Sequence, residues 1–167
     1  MDVPGYATAG LLEPFSAGLG FQDWLPITAP GAGNNATFLV PGEFSLRILS
    51  AMATLTTDAN AANRVLSIDY ISPRVGTFCR NPSIAVQIAN VSNQAYIWSA
   101  TRAAGDAGAN LPTQLPILSA FLPSSTTVQF TVDNKQVGDT LTGLLLFVEK
   151  FETGPAGYPL GRTAIDE

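Results

Sequence analysis

The sequence predicts an all-β protein, an antiparallel β-sandwich of jelly-roll or Greek-key order with extended arms at both ends. Short runs rich in β-branched and aromatic residues alternate between apolar and polar positions, and clusters of Gly, Pro, Asn, Asp and Ser separate them. No segment carries an apolar stripe at helical spacing over ten or more residues, apart from a weak helical pattern over 60–65. Many short strands around one core are typical of a sandwich or barrel. The long middle connections favour a jelly-roll or Greek-key order over a meander.

Residues 1–35 are predicted to form an extended N-terminal arm. The segment is rich in Gly and Pro and has neither helical nor alternating periodicity. Its apolar side chains, among them Phe15, Phe21 and Trp24, are too numerous for a free linker. We therefore expect the arm to lie against a surface, which is either its own domain or a neighbouring subunit.

Residues 36–152 are predicted to form the β-sandwich domain. From 44 to 48 every second residue is apolar, and from Ala51 the apolar positions continue on the other parity. This change of parity predicts a β-bulge or bend near Ser50. The same criteria predict further strands at 38–40, 66–70, 84–89, 96–100, 126–132 and 141–151.

Residues 153–167 are predicted to form a C-terminal arm. Pro155 and Pro159 lack the amide donor that a strand in a sheet needs, so the preceding strand cannot continue through them. Two arms that flank a compact domain suit a subunit whose ends reach its neighbours.

The composition indicates a surface that contacts other proteins. Hydrophobic residues make up 46% of the chain and charged residues 13%, which is about half the usual charged fraction. No apolar run approaches the ~20 residues of a membrane span, and a net charge of −5 without a basic stripe disfavours nucleic acid. A start without the features of a secretion signal and a lone cysteine, Cys79, predict synthesis and residence in a cytoplasm.

The absence of histidine is the most informative feature for catalysis. It excludes Ser-His-Asp and Cys-His arrangements, together with the commonest metal ligand. A serine-lysine pair would need Lys135 or Lys150, and both are predicted to be solvated charges.

The acidic residues are also poor candidates for catalysis or metal binding. Asp133 and Asp139 bracket a turn, while Glu149 and Glu152 lie at a strand end without the aromatic neighbours of a sugar site. We interpret them as solvated. The sequence therefore predicts no catalytic residue, no cofactor, no metal site and no enzymatic activity.

Several segments resemble a group of tailed-bacteriophage virion proteins. The first are 44–51 (Phe-Ser-Leu-Arg-Ile-Leu-Ser-Ala) and 55–64, and the later ones are 122–123, 137–139 and 144–151. The later segments resemble a Gly-Asp turn followed by an apolar strand that closes on a charged pair and an aromatic residue. These motifs are structural and not catalytic.

The resemblance, which covers roughly 43–152, implies a capsid cement or decoration protein on the outside of an icosahedral head. Such a protein bridges adjacent capsomers, is often trimeric, and is made in the host cytoplasm. The implied partners are the major capsid protein and other copies of the chain, with the arms acting as straps. The long apolar N-terminal segment departs from the simplest version, so a head-tail connector or tail role stays open.

Two kinds of binding surface follow from these predictions. The predicted protein interface consists of Phe15, Phe21, Trp24, Tyr158 and Leu160. The alternative, a receptor- or carbohydrate-binding module at a tail or fibre, would use Tyr70, Tyr96 and Trp98. Trp98 lies on a predicted strand, and its simplest interpretation is a core residue.

Overall fold

A computed structural model of the protein describes residues 20–83, 86–100 and 112–152, and these residues form ten strands and no helix. The strands are β1 (Phe21–Pro26), β2 (Ala36–Leu39), β3 (Phe44–Thr56), β4 (Val65–Ser72), β5 (Gly76–Pro82), β6 (Gln94–Ser99), β7 (Thr113–Pro116), β8 (Phe121–Leu122), β9 (Thr127–Asp133) and β10 (Thr140–Glu152). The predicted all-β class is confirmed.

The strands form two sheets. Sheet A has the order β1-β10-β3-β6-β7, and β8 also pairs with β3. Sheet B has the order β2-β9-β4-β5. The neighbouring pairs are antiparallel except β6 and β7, which are parallel. A single core cluster draws its side chains from both sheets, so the predicted β-sandwich is also confirmed.

The pairings are nested along the chain. Strand β1 pairs with β10, β2 with β9, β3 with β6 and β4 with β5. Strands β1 to β4 alternate between sheet A and sheet B, β5 stays in sheet B beside β4, and β6 returns to sheet A. The chain therefore crosses the sandwich repeatedly, and its first and last strands end as neighbours.

Strands β3 and β10, at 13 residues each, form the centre of sheet A. Their register shifts where Phe147 pairs with Ser50 and Val148 pairs with Ile48, which leaves Leu49 as an extra residue in β3. The bulge lets both Ile48 and Ala51 face the core. The predicted bulge near Ser50 is confirmed, and the change in apolar parity was its signature.

The core is built around aromatic side chains from both sheets. Trp98 on β6 contacts Phe130 on β9 edge to face, with ring centroids 6.2 Å apart, and Tyr96 stacks on Trp98 at 5.9 Å. All three side chains are buried. The contact between Trp98 and Phe130 joins sheet A to sheet B, so the interpretation of Trp98 as a core residue is confirmed.

The sheet begins earlier than the predicted domain. Strand β1 lies inside the range 1–35 that was predicted as an extended arm, and it pairs along its whole length with β10. Burial does not alternate along β1, because it is an edge strand whose first four residues are all exposed. Residues 1–19, the part of the predicted N-terminal arm before Gly20, lie outside the described residues. The whole of the predicted C-terminal arm, 153–167, also lies outside them.

Other strand predictions need correction. Strands β5, β7 and β8 were not predicted, because β5 is mostly exposed and the other two are short. The strand predicted at 84–89 is wrong for 86–89, where Gln87 forms only an isolated bridge with Arg64. Its first two residues, 84 and 85, lie outside the described residues. The weak helical pattern over 60–65 does not form a helix.

Replacing Phe130 with alanine tests the contact between the sheets. The change removes a fully buried ring that packs on Trp98, so we expect a loss of about 3–5 kcal/mol in the free energy of unfolding. Urea denaturation followed by tryptophan fluorescence measures it. Phe121→Ala is the matched control, because Phe121 is half exposed and its loss should cost less than about 1 kcal/mol. Equal losses in the two variants would contradict the proposed core.

Candidate functional site

A buried arginine joins the loops at the end of the sandwich where β3 and β9 terminate. Arg64 is fully buried, and its guanidinium satisfies all its hydrogen-bonding directions with local acceptors. It donates to Asp139 through Nε and Nη2 at 3.0 Å each, to Asp58 through Nη2 at 2.6 Å, and through Nη1 to the carbonyl oxygens of Asn60 at 2.7 Å and Ala62 at 3.0 Å.

Asp139 is the buried partner of this arginine. It also accepts hydrogen bonds from the backbone N–H groups of Asp58 at 2.9 Å and Gln136 at 2.8 Å. Burial alone would raise the pKa of Asp139, but the hydrogen bonds from Arg64, Gln136 and Asp58 outweigh it and hold this pKa below its usual value. The interpretation of Asp139 as a solvated turn residue is therefore wrong.

The same cluster reaches a third loop through Gln87. The backbones of Arg64 and Gln87 exchange two hydrogen bonds at 2.9 Å. The Gln87 side chain donates to Leu55 O at 3.1 Å and accepts from the Tyr96 hydroxyl at 2.8 Å. Because each carboxylate oxygen of Asp58 and Asp139 already accepts hydrogen bonds from within the chain, the cluster is suited to holding loops together.

Two other charges predicted to be solvated are also partly or fully enclosed. The Glu149 side chain is 7% exposed and accepts from Arg47 at 3.0 Å, so its interpretation as solvated is wrong. Lys135 donates to the side-chain oxygen of Asn35, and burial lowers the pKa of its ammonium group. Asp133 keeps the predicted exposure, with 44% of its side chain accessible beside Arg80.

Among the residues that the structure describes, no three His, Cys, Asp or Glu side chains come close enough to hold a metal ion. The described residues also contain no helix with the length and apolar character needed to cross a membrane.

Two of the five predicted interface residues lie on β1. Phe21 is 71% exposed and Trp24 is 49% exposed. The Trp24 ring packs on Phe147 of β10, with ring centroids 4.5 Å apart. The structure therefore places Trp24 on its own domain with half of its surface still available. Phe15, Tyr158 and Leu160 lie outside the described residues.

Trp24 belongs to a larger apolar surface on the outer face of sheet A. Strand register brings six apolar side chains together there, and we call them the apolar band: Trp24, Pro26, Met52, Ile97, Leu145 and Phe147. Pro26, Leu145, Met52 and Ile97 are consecutive partners across β1, β10, β3 and β6, and Trp24 pairs with Phe147 in the neighbouring row. Trp24 and Pro26 are exposed, and the other four are half-buried. Contiguous exposed apolar side chains of this kind mark protein-binding surfaces.

A charged and aromatic cluster borders the apolar band. Arg47 pairs with Glu149, and its guanidinium lies 5.6 Å from the ring centroid of Phe151. The Phe151 ring lies 5.4 Å from that of Phe121, which is half exposed. Along the described strands, Arg47 and Glu149 are the charged residues that register places on this face. The outer face of sheet A thus carries no net charge.

The outer face of sheet B is different. One row across it reads Thr37, Gln129, Asp69 and Arg80. The next row places Thr131 beside Ser67. These two rows carry polar side chains, of which Ser67 and Asp69 are buried, while a further row places the exposed Leu39 and the half-buried Ile71 on either side of Thr127. The outer face of sheet B is therefore more polar than the apolar band along two of its rows.

The three aromatic residues of the alternative binding module are not available at the surface. Tyr70 and Trp98 are 0% exposed and Tyr96 is 1% exposed. Burial raises the pKa of the Tyr70 hydroxyl, which donates to Leu118 O at 3.0 Å. The prediction that these three rings form a carbohydrate-binding patch is wrong, because they fill the space between the sheets.

Sequence reasoning missed five members of the apolar band: Pro26, Met52, Ile97, Leu145 and Phe147. A signal was present in 144–148, where five consecutive residues are apolar. Such a run places apolar side chains on both faces of a strand. In β10 the inner positions Leu144, Leu146 and Val148 fill the core. The residues between them, Leu145 and Phe147, face outward.

No known protein family, curated protein or solved structure matches this chain. Its function is therefore inferred from its own residues and surfaces.

Replacing Asp139 with asparagine tests the buried ion cluster. The variant keeps the shape of the side chain but leaves the Arg64 charge poorly compensated. We therefore expect the free energy of unfolding to fall by about 3–5 kcal/mol at pH 7. Asp133→Asn, at an exposed ion pair, is the control and should cost no more than about 1 kcal/mol.

Asp139→Asn should also respond to acid differently from the wild type. The pKa of Asp139 is lowered in the folded state, so its ionised form contributes stability at pH values above the unfolded value of about 3.9. That contribution is lost as the pH falls through the lower folded value. Urea midpoints measured from pH 7 to pH 2.5 should fall less steeply for Asp139→Asn than for the wild type. Parallel curves for the two proteins would show that Asp139 does not carry this acid sensitivity.

Proposed function

We propose that the protein is a structural component of a virus particle, a capsid cement or decoration protein that stabilises a tailed-phage head by binding other subunits. The observation that carries the proposal is the apolar band on the outer face of sheet A. A large apolar side chain moved from water into a protein contact contributes about 1.5–3 kcal/mol before association costs. Repeated over many copies in a shell, a modest contact of this kind stabilises the particle.

The charged residues support a structural role. Arg64 lies between Asp58 and Asp139, Arg47 pairs with Glu149, and these contacts hold loops and strands in place. An active site would instead need an acid or base positioned to exchange protons with a substrate. We therefore propose that the protein is not an enzyme.

The segments that resemble phage virion proteins coincide with structural elements. Residues 44–51 lie in β3, and 55–64 carry Asp58 and Arg64 of the buried ion cluster. Residues 137–139 carry Asp139, and 144–151 lie in β10. The resemblance thus concerns the central strand pair and the cluster at its end, which agrees with a shared fold more directly than with a shared reaction.

The strand order supports the finer fold assignment within this proposal. Four-stranded arrangements β1-β10-β3-β6 and β2-β9-β4-β5, connected by nested antiparallel pairs, are the order expected of a jelly roll with β7 and β8 added before β9. The proposed partners are the major capsid protein and other copies of the chain, as a trimer on the capsid surface, with no direct contact to nucleic acid or membrane.

A head-tail connector or a tail protein is the alternative. It would use the same apolar band, so location in the particle separates it from a cement protein. The receptor- or carbohydrate-binding alternative was based on Tyr70, Tyr96 and Trp98, and all three side chains are buried.

Heating heads assembled with and without the protein tests the cement role. Wild-type protein should raise the temperature at which heads release DNA, measured by dye fluorescence. Trp24→Glu places a charge in the apolar band and should weaken binding to the particle by at least about tenfold, so that the gain disappears at limiting protein.

Leu39→Glu is the matched control for this experiment. Leu39 is 61% exposed on β2, the corresponding edge strand of sheet B, and the variant should protect heads as well as the wild type. Heads that rupture at the same temperature with and without the wild-type protein would remove the cement role.

A further inference from the structure

We propose that Lys135 and Asn35 are joined by an intramolecular isopeptide bond that the folded chain forms by itself. The bond links the residue before β2 to the turn between β9 and β10. It is a self-modification that occurs once in each molecule, so it is compatible with a protein that is not an enzyme. It goes beyond the proposed function, and the purified chain tests it without capsid heads.

The two side chains are in direct contact in the folded protein. The Lys135 side-chain nitrogen donates a hydrogen bond to Asn35 Oδ1, across 100 residues of sequence. Because Oδ1 is bonded to Cγ, the amide carbon of Asn35, this contact puts the lysine nitrogen next to the carbon that it attacks. Holding two reacting groups together replaces a bimolecular encounter and accelerates their reaction.

Both groups are carried by loops that pack on each other. The Gly33 N–H donates to Asp139 O at 2.9 Å. A Cβ at Gly33 would lie 3.2 Å from the Cα and the carbonyl oxygen of Val137, so the loop before β2 closely approaches the turn. The turn is closed by the Asp139 N–H, which donates to Gln136 O at 3.1 Å. The backbone therefore holds the two side chains in position relative to each other.

The surroundings of Lys135 favour the neutral amine that the attack needs. Burial lowers the pKa of the ammonium group, and the negative charge of Asp139 acts in the opposite direction. A pKa below the usual lysine value increases the fraction of the side chain that is present as neutral amine at neutral pH. Lys135 is therefore a better nucleophile than a fully solvated lysine.

The buried ion cluster stabilises the charge that appears during the attack. Two carboxylates, Asp58 and Asp139, share the single guanidinium group of Arg64, so these three side chains carry a net negative charge. An amine nitrogen that bonds to an amide carbon is positively charged until it loses its proton. Because the charge of Asp139 acts on the Lys135 nitrogen, it stabilises this intermediate.

The reaction transfers the acyl group of Asn35 from one nitrogen to another. Lys135 Nζ forms a bond to Cγ, and the bond between Cγ and Nδ2 breaks. The proton that Nζ loses goes to Nδ2, which leaves as ammonia. Both side chains are partly exposed, so water can carry this proton and ammonia can leave. No oxidant or reductant is required, because an amide is exchanged for an amide.

The other lysine of the chain provides a comparison. Lys150 also donates to a side-chain oxygen, but its partner is the carboxylate of Asp23. An ionised carboxylate has no leaving group and resists attack by an amine. Of the two lysines, Lys135 is therefore the one whose contact pairs an amine with a carbonyl group that can release ammonia.

The bond strengthens the attachment of an edge strand. Strand β2 has four residues, lies at the edge of sheet B and pairs there with β9. A covalent link between Asn35 and Lys135 closes the chain between them into a loop, which reduces the number of conformations open to the unfolded state. The crosslinked chain should therefore unfold at a higher temperature than Lys135→Arg, as measured by circular dichroism.

Intact-mass spectrometry of the purified full-length protein tests the bond. The wild type should be lighter than its sequence mass by one ammonia molecule. Lys135→Arg keeps the positive charge and the hydrogen-bond donors but removes the nucleophile, so it should have its full sequence mass. Lys150→Arg is the matched control and should lose ammonia as the wild type does. Circular dichroism spectra that match the wild type confirm that both variants are folded.

Tryptic digestion locates the bond. Trypsin cleaves after Lys and Arg, so Asn35 lies in the peptide 1–47, and Lys135 normally ends a peptide that begins after Arg102. A lysine whose side chain forms an amide is not cleaved. Tandem mass spectrometry should therefore find 1–47 joined to 103–150, with Asn35 and Lys135 as the linked residues.

Two results would overturn the inference. If the wild type keeps its full sequence mass after a week at mildly alkaline pH, and trypsin cleaves fully after Lys135, the contact is a hydrogen bond and nothing more. If Lys135→Arg also loses ammonia, the loss comes from a different side-chain amide or a different reaction. Neither result depends on whether heads are protected, so the failure of this inference and the failure of the proposed function are distinguishable.

Discussion

The pairing of β3 with β10 is the constraint on which the rest of the molecule depends. These two 13-residue strands lie at the centre of sheet A, and β1, β6 and β8 all attach to one or the other. Two register shifts, at Leu49 on β3 and next to Gly143 on β10, decide which side chains face the core. Gly143 adopts a positive φ of 58°, which a glycine accepts without strain. The bulges therefore determine the composition of both faces of the sheet.

A chain with few charged residues buries several of them, and this has a structural explanation. The loops before β4 and β10 carry backbone carbonyl and N–H groups that need partners once they are removed from water. Arg64 and Asp139 supply these partners with ionic hydrogen bonds, which are stronger than neutral ones. The cluster also ties together strands that are far apart in sequence, so it closes one end of the sandwich.

Much of the fold followed from the sequence, and the failures have physical causes. Alternation predicted the core positions of β3 and β4, and the parity change at Ser50 predicted a real bulge. Edge strands such as β1 and β5 were missed because their side chains are exposed and carry no alternation in burial. Asp139 was misjudged because burial of a turn residue depends on a partner 75 positions away, which no local pattern reveals.

The candidate site was predicted only in part, because strand register brings most of the apolar band together. Phe21 and Trp24 were recognised from composition, but Met52 and Ile97 join Trp24 on one face only through three long-range strand pairings. The asymmetry between the two outer faces has the same origin. The bulged central pair turns apolar residues outward on sheet A, while β9 turns threonine and glutamine outward on sheet B. Pro26 and Asp23 also make the edge of β1 poorly suited to the addition of another strand. The apolar side chains on the outer face of sheet A, on which the proposed contact with other subunits rests, thus owe their arrangement to the β3–β10 register.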